Sequence, residues 1–162
     1  MPSPRHLPLY EAADEVRLRA WVQLARTFSR IQRRIISTLS QHDVTLPQFD
    51  VLATLRFGEG LTQQELAERL LVTKGNVCGV LDRLEALKWV ERRPDPTDRR
   101  ANRLHLTASG RKKVGELLPA HDSLVTSILR GLPDAAVKNL RKLLQDLEVS
   151  LDSGVAAEAQ AK

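Results

Sequence analysis

Residues 61–107 read LTQQELAERLLVTKGNVCGVLDRLEALKWVERRPDPTDRRANRLHLT. Thr62-Gln63-Gln64-Glu65 is a capping box, a Thr with Glu three places on, and it predicts a short helix that turns Leu66, Ala67 and Leu70 inward. Thr73 predicts the cap of a second helix, in which Val77, Val80, Leu81 and Leu84 recur at threes and fours. Only Leu71 and Val72 lie between the two, so the pair predicts a helix-turn-helix. Val90–Thr107 then reads as two short strands around a turn. Leu104 and Leu106 alternate with Arg103, His105 and Thr107, giving one core face and one wet face. Pro94 and Pro96 are expected to keep the tip out of regular pairing.

The flanks are helical. Thr45-Leu46-Pro47-Gln48 is another capping box; it opens a helix carrying Phe49, Val51, Leu52 and Leu55, stopped by Gly58 and Gly60. Upstream, Trp21, Ala25, Phe28, Ile31, Ile35 and Leu39 predict a helix over about 11–41, long enough that part of it must pack on something else. Downstream, Thr107 caps a helix to about Arg130, and Pro133-Asp134 start a last one to about Leu151 with Val137, Leu140, Leu143, Leu144 and Leu147 on one stripe. The expected fold is mainly α with a small β-hairpin wing. Residues 1–10 form a flexible arm, 11–44 and 108–151 a helical region, 45–107 the helix-turn-helix and hairpin, and 152–162 a disordered tail.

The chain has 162 residues and a formal net charge of +5. Residues 88–113 hold nine Lys/Arg against three acids, a local excess of +6. A concentrated excess of this kind is how a polyanion footprint looks, although acids are interspersed and a solvated charged face is the bland alternative. A basic hairpin directly after an amphipathic helix suggests a two-element grip on a nucleic-acid duplex. The single cysteine, Cys78, rules out an internal disulfide and fits a reducing cytoplasm. No membrane span or signal-peptide core is seen.

In a helix-turn-helix the second helix enters the major groove N-terminal end first. Thr73, Lys74 and Asn76 lead here: Asn pairs bidentately with adenine, Lys reaches guanine or phosphate, and Thr73 can hold a phosphate at the helix N-terminus. The outer face carries Lys74, Gly75, Cys78, Gly79 and Asp82. Gly75 and Gly79 each cost up to ~1 kcal/mol relative to Ala, which close approach to DNA would explain. At the wing, Arg99 and Arg100 flank the tip beside Asp98, and a tip arginine suits a narrow minor groove. Asp98 cannot favour a polyanion directly, so its expected role is a local hydrogen bond that aims one arginine.

On these residues the run 61–107 resembles the winged helix-turn-helix of the MarR (multiple antibiotic resistance regulator) family. DPTDRR matches its wing tip, LDRLE the end of its recognition helix, and Leu106-Thr107 with Gly110 the start of its next helix. The order of elements extends the likeness over about residues 11–150. The resemblance implies a homodimer built from the first and last two helices, acting as a cytoplasmic transcription regulator, a repressor by expectation, on a pseudo-palindromic operator. It also implies a small effector, often an aromatic acid. Carried over by position, Thr73, Lys74, Asn76 and Val77 read the groove, and Asp98 and Arg100 fall on the wing Asp-x-Arg. Gly75 and Gly79 depart from the family's usual Ser and longer polar residue, Lys88 stands where Gly is usual, and Trp89 replaces a smaller apolar residue.

Trp21 and Asp50 are candidates to line an effector cavity, against the plainer reading of interface core and surface acid. Cys78 invites a redox-responsive reading, against that of a small packed residue. His6, His42, His105 and His121 show no metal-ligand spacing, His42 with Asp43 being the nearest to a site; no metal and no cofactor are expected. No phosphate loop or nucleophile elbow points to an enzyme. The remaining rival is a winged-helix protein-interaction adaptor, which the basic tip disfavours.

Overall fold

The computed structural model describes residues 15–98 and 101–160, the side chains of 152–160 excepted. The chain divides into two compact units, 1–122 and 123–162. The first contains α1 (Glu15–Ser40), α2 (Leu46–Phe57), β1 (Leu61–Thr62), α3 (Gln63–Arg69), α4 (Lys74–Ala86), β2 (Val90–Pro94), β3 (Asn102–Leu106) and most of α5 (Ala108–Leu129). The second holds the end of α5 and α6 (Asp134–Gln160).

The caps form as the local sequence dictates. Thr45 and Thr62 each close a reciprocal box, with Gln48 and Glu65. The Thr62 amide and hydroxyl hold the Glu65 carboxyl below its ordinary range. Thr73 accepts from the Asn76 amide, and Thr107 from the Gly110 amide at 3.0 Å. Each such cap is worth ~1 kcal/mol. α6 runs past Leu151 to Gln160, through the segment whose small, polar residues read as a frayed tail; its alanines are strong helix formers.

The core of the first unit gathers Leu52 and Leu55 of α2, Leu66 of α3, Leu81 and Leu84 of α4, Leu104 and Leu106 of β3, and Val114 and Leu117 of α5, all 0–1% exposed. Leu39 of α1 joins them. Val80, read as buried, lies partly buried against this core.

The wing is three-stranded, in the order β1-β3-β2 and antiparallel throughout, where a two-stranded hairpin was expected. Leu61 pairs with Leu104 and Thr62 with Arg103, and the Gly60 amide donates to the Leu104 carbonyl at 2.9 Å. Pairing the free edge of β3 satisfies backbone groups that its burial would otherwise orphan. On the other edge the register runs from Val90↔Leu106 to Pro94↔Asn102. Pro94 thus keeps its place in the ladder, as an edge-strand proline can, and pairing ends immediately after it.

Candidate nucleic-acid interface

α4 presents two faces of opposite character. Val77, Leu81 and Leu84 are buried, whereas Thr73, Lys74, Gly75, Asn76, Cys78, Gly79 and Asp82 are exposed. Thr73, Lys74, Gly75, Asn76 and Gly79 therefore lie where a groove could receive them. Val77 does not: at 1% exposure its side chain belongs to the core and cannot meet a base. Its place in the first turn suggested a groove contact, but its helical phase puts it on the inner face. Gln63 of α3 donates to the Lys74 carbonyl at 3.2 Å, tying the two helices at the leading end. Cys78 is exposed, and its Sγ lies 3.9 Å from the Asp82 carboxylate, an acidic setting rather than the electropositive one of sensor thiols.

The arginines of the wing divide by partner. Arg92 reaches back to α4: its guanidinium bonds the Asp82 carboxylate at 2.8 Å and the Glu85 carboxylate, and Glu85 also accepts from the Arg92 amide at 3.1 Å. Arg93 pairs with Glu91 on its own strand. Arg103 Nε lies 2.6 Å from Asp95 Oδ2, and its Nη1 donates to the Gly60 carbonyl at 2.8 Å. Three of the five arginines between Val90 and Thr107 are thus committed to acids. Arg99 and Arg100 lie outside the described residues.

The buried acid of the wing tip is Asp95, 5% exposed. Its Oδ1 accepts from the Thr97 hydroxyl and amide, each at 2.7 Å, and from the Asp98 amide at 3.2 Å. The Thr97 hydroxyl and amide, with the Asp98 amide and Arg103 adding to them, lower its pKa to about 2. The turn at the tip thus closes on Asp95, and the Asp98 carbonyl accepts from the Ala101 amide at 3.0 Å.

The joint between α4 and the wing rests on Lys88, whose φ is +58°. This is a left-handed backbone position that favours glycine, and lysine is tolerated there at ~1 kcal/mol. The Lys88 carbonyl accepts from the Thr107 and Ser109 hydroxyls. Trp89 packs half-buried against the core with Lys113 Nζ 5.3 Å from its ring centroid.

Trp21 is 59% exposed on α1. Asp50 is half-buried on α2, where burial pushes its carboxyl up and the charge of His121 pulls it partly back; the His121 ring packs tilted against neighbouring Phe49, centroids 4.8 Å apart. An open depression of about 550 Å³ runs along Ala25, Arg26, Ser29, Arg30 and Arg33 of α1. Among the described residues no cluster of three metal-binding side chains occurs, and no helix is long and apolar enough to cross a membrane.

The model of the MarR family matches residues 42–101. YkoM of Bacillus subtilis, an HTH-type transcriptional regulator, is 32% identical over 111 residues, spanning 68% of this chain and 72% of the relative. The chain belongs to the MarR family. It is a DNA-binding transcriptional regulator of that family. Two solved members bear on the interface. The MepR–DNA complex of S. aureus superposes with a TM-score of 0.74 at 27% identity, over 80% of this chain and 97% of MepR. BpsR of Bordetella bronchiseptica, whose DNA binding is regulated by 6-hydroxynicotinic acid, superposes with a TM-score of 0.66 at 28% identity, over 78% of this chain and 98% of BpsR.

Proposed function

We propose that this MarR-family regulator is a cytoplasmic, homodimeric, ligand-responsive repressor on a pseudo-palindromic operator. The observation that carries the reading is the split character of α4: its inner face is locked into the core and its leading end stands exposed, while its C-terminal half is tied to the wing through Arg92. In the proposed complex Thr73, Lys74, Gly75, Asn76 and Gly79 enter the major groove, with Asn76 reading a base and Thr73 and Lys74 on phosphate. Asp98, Arg99 and Arg100 form the part of the wing that reaches the flanking minor groove.

The dimer is supported by apolar surface that a lone chain leaves wet. Trp21, Leu24 and Phe28 share one face of α1, and Leu140, Leu143, Leu144 and Leu147 line α6, all at least 38% exposed. Exposed apolar stripes of this kind mark association surfaces. Two reading heads on one dimer meet half-sites about one helical turn apart. An effector that changes their spacing weakens binding because both heads then cannot dock together. An aromatic acid is the proposed effector class, by analogy with BpsR, and Trp21 and Asp50 are the proposed lining residues.

Operator selection followed by affinity measurement tests the reading. Asn76→Ala is expected to relax the preference at one operator position; an unaltered preference refutes base readout. A thermal-shift screen of aromatic acids, followed by operator binding with each hit, tests the effector.

A further inference from the structure

Arg103 sits on the central strand of the wing, opposite Arg93 of β2 and Thr62 of β1. Arginine is costly to keep beside arginine in a sheet, since like charges directly opposite are destabilising. The side chain of Arg103 turns this position to use by spanning two partners. One is the carboxylate of Asp95 at the wing tip; the other is the carbonyl of Gly60, before β1. Asp95 in turn gathers Thr97 and the Asp98 amide on its second oxygen. Its own amide donates to the Ala101 carbonyl at 3.0 Å, and the Ala101 amide to the Asp98 carbonyl at 3.0 Å. Both flanks of residues 99–100, Asp98 and Ala101, are therefore fixed by a turn that closes on one buried carboxylate, and Arg103 holds that carboxylate.

We propose that Arg103 and Asp95 are a positioning pair: they bind no phosphate themselves and set the direction in which the wing tip meets DNA. The proposal rests on the reading of the wing as the minor-groove element. Its Nε and Nη1 are held by the carboxylate and the carbonyl, which fixes the plane of the guanidinium, and the charges of the pair cancel, so together they add nothing to the wing's long-range field. A lysine cannot replace the arginine, because a point charge on a flexible stem does not hold a carboxylate and a carbonyl at once in fixed geometry. Acid does not open the pair near neutrality, since the Asp95 carboxyl is held far below that range.

Asp95→Asn separates positioning from charge. It removes an acid from a DNA-binding surface, so bare electrostatics makes binding tighter; the positioning role makes it weaker. The measurement is fluorescence anisotropy of the full chain on operators with A-tract or G·C flanks, across about 50–200 mM salt, corrected for the folded fraction from circular dichroism. Asp95→Asn, Arg103→Ala and Arg103→Lys are each expected to weaken binding about five- to tenfold (~1–1.4 kcal/mol). The preference for A-tract flanks is expected to fall and the salt slope to hold. Arg100→Ala, by contrast, is expected to lower the slope by about one unit. The proposal is overturned if Asp95→Asn tightens binding, if Arg103→Ala lowers the slope as a phosphate contact must, if Arg103→Lys restores wild-type behaviour, or if the folded fraction of each variant keeps its flank preference. If Arg100→Ala changes neither affinity nor slope, the minor-groove reading itself fails, independently of the pair.

Discussion

Gly79→Ala should move stability and operator affinity in opposite directions. A methyl group at Gly79 or Gly75 meets no atom within 4 Å, so the fold has no steric use for either glycine. Gly79 lies inside α4 (Lys74–Ala86), where replacing Gly by Ala gains about 0.5–1 kcal/mol through backbone entropy. For a chain of this size that is a rise in Tm of roughly 1–4 °C. Gly75 is in the first turn, where the same substitution gains less. If the glycines let α4 approach the duplex, the added methyl holds the helix away and weakens operator binding about tenfold, ~1.4 kcal/mol. Differential scanning calorimetry and anisotropy on one preparation read both quantities. A stabilised Gly79→Ala protein with wild-type affinity would refute the argument, leaving the glycines as drift on an exposed face. A destabilised one would refute its structural half.

Gly110→Ala is the opposite case: a Cβ there would stand 1.9 Å from the Trp89 carbonyl oxygen, so backbone must shift, and a loss of about 2–3 kcal/mol is expected in urea denaturation. Retained wild-type stability would show that α5 is free to slide at this crossing. Lys88→Gly relieves a left-handed lysine, at φ +58°, and should gain about 0.5–1 kcal/mol with no change in operator preference; a lower Tm would contradict it. Asp95 sets an acid limit on the wing. Its folded pKa is depressed to about 2 from the ordinary 3.8, so its contribution is complete above about 3.8 and is lost as pH falls toward 2. A carboxyl carbon NMR titration of Asp95 with a midpoint near 4 would show that the Thr97 and Arg103 contacts do not persist in solution.

What could be read from the chain follows from the range of the interactions. Thr45, Thr62 and Thr73 act on amides three residues away, so their caps were legible and formed. β1 was not. Thr62 already signals a helix cap, and nothing within Leu61-Thr62 announces the pairing, which is demanded by an open edge on Leu104, over 40 residues later. Val77 was read both as core and as groove contact, because position in a helix suggests one role and phase the other; burial decides for phase. Trp21 is exposed on α1 and Asp50 half-buried on α2, and neither burial follows from the spacing of apolar residues in its helix.

The arginine-rich stretch shows most clearly where counting stops. An excess of +6 over residues 88–113 treats every guanidinium as available. Arg92 is gripped by Asp82 and Glu85, which lie earlier in the chain and outside that window, so a local count could not see them. Arg103 closes on Asp95, which the count includes only as a subtraction. A salt bridge at the surface adds little to stability, with a median of ~0–1 kcal/mol. The buried Asp95 differs because removing its partner leaves a desolvated carboxylate unpaired. Pairing therefore removes charge from the patch and gives the wing a fixed shape in return. Arg92 ties that shape to α4, so α4 and β2 are expected to meet DNA as one body, while Lys88 and Gly110 set the joint behind them. If the proposed effector acts by changing the spacing of two such units in a dimer, the Arg92 tie is what would carry α4 and the wing together, and Arg92→Ala is expected to loosen that coupling.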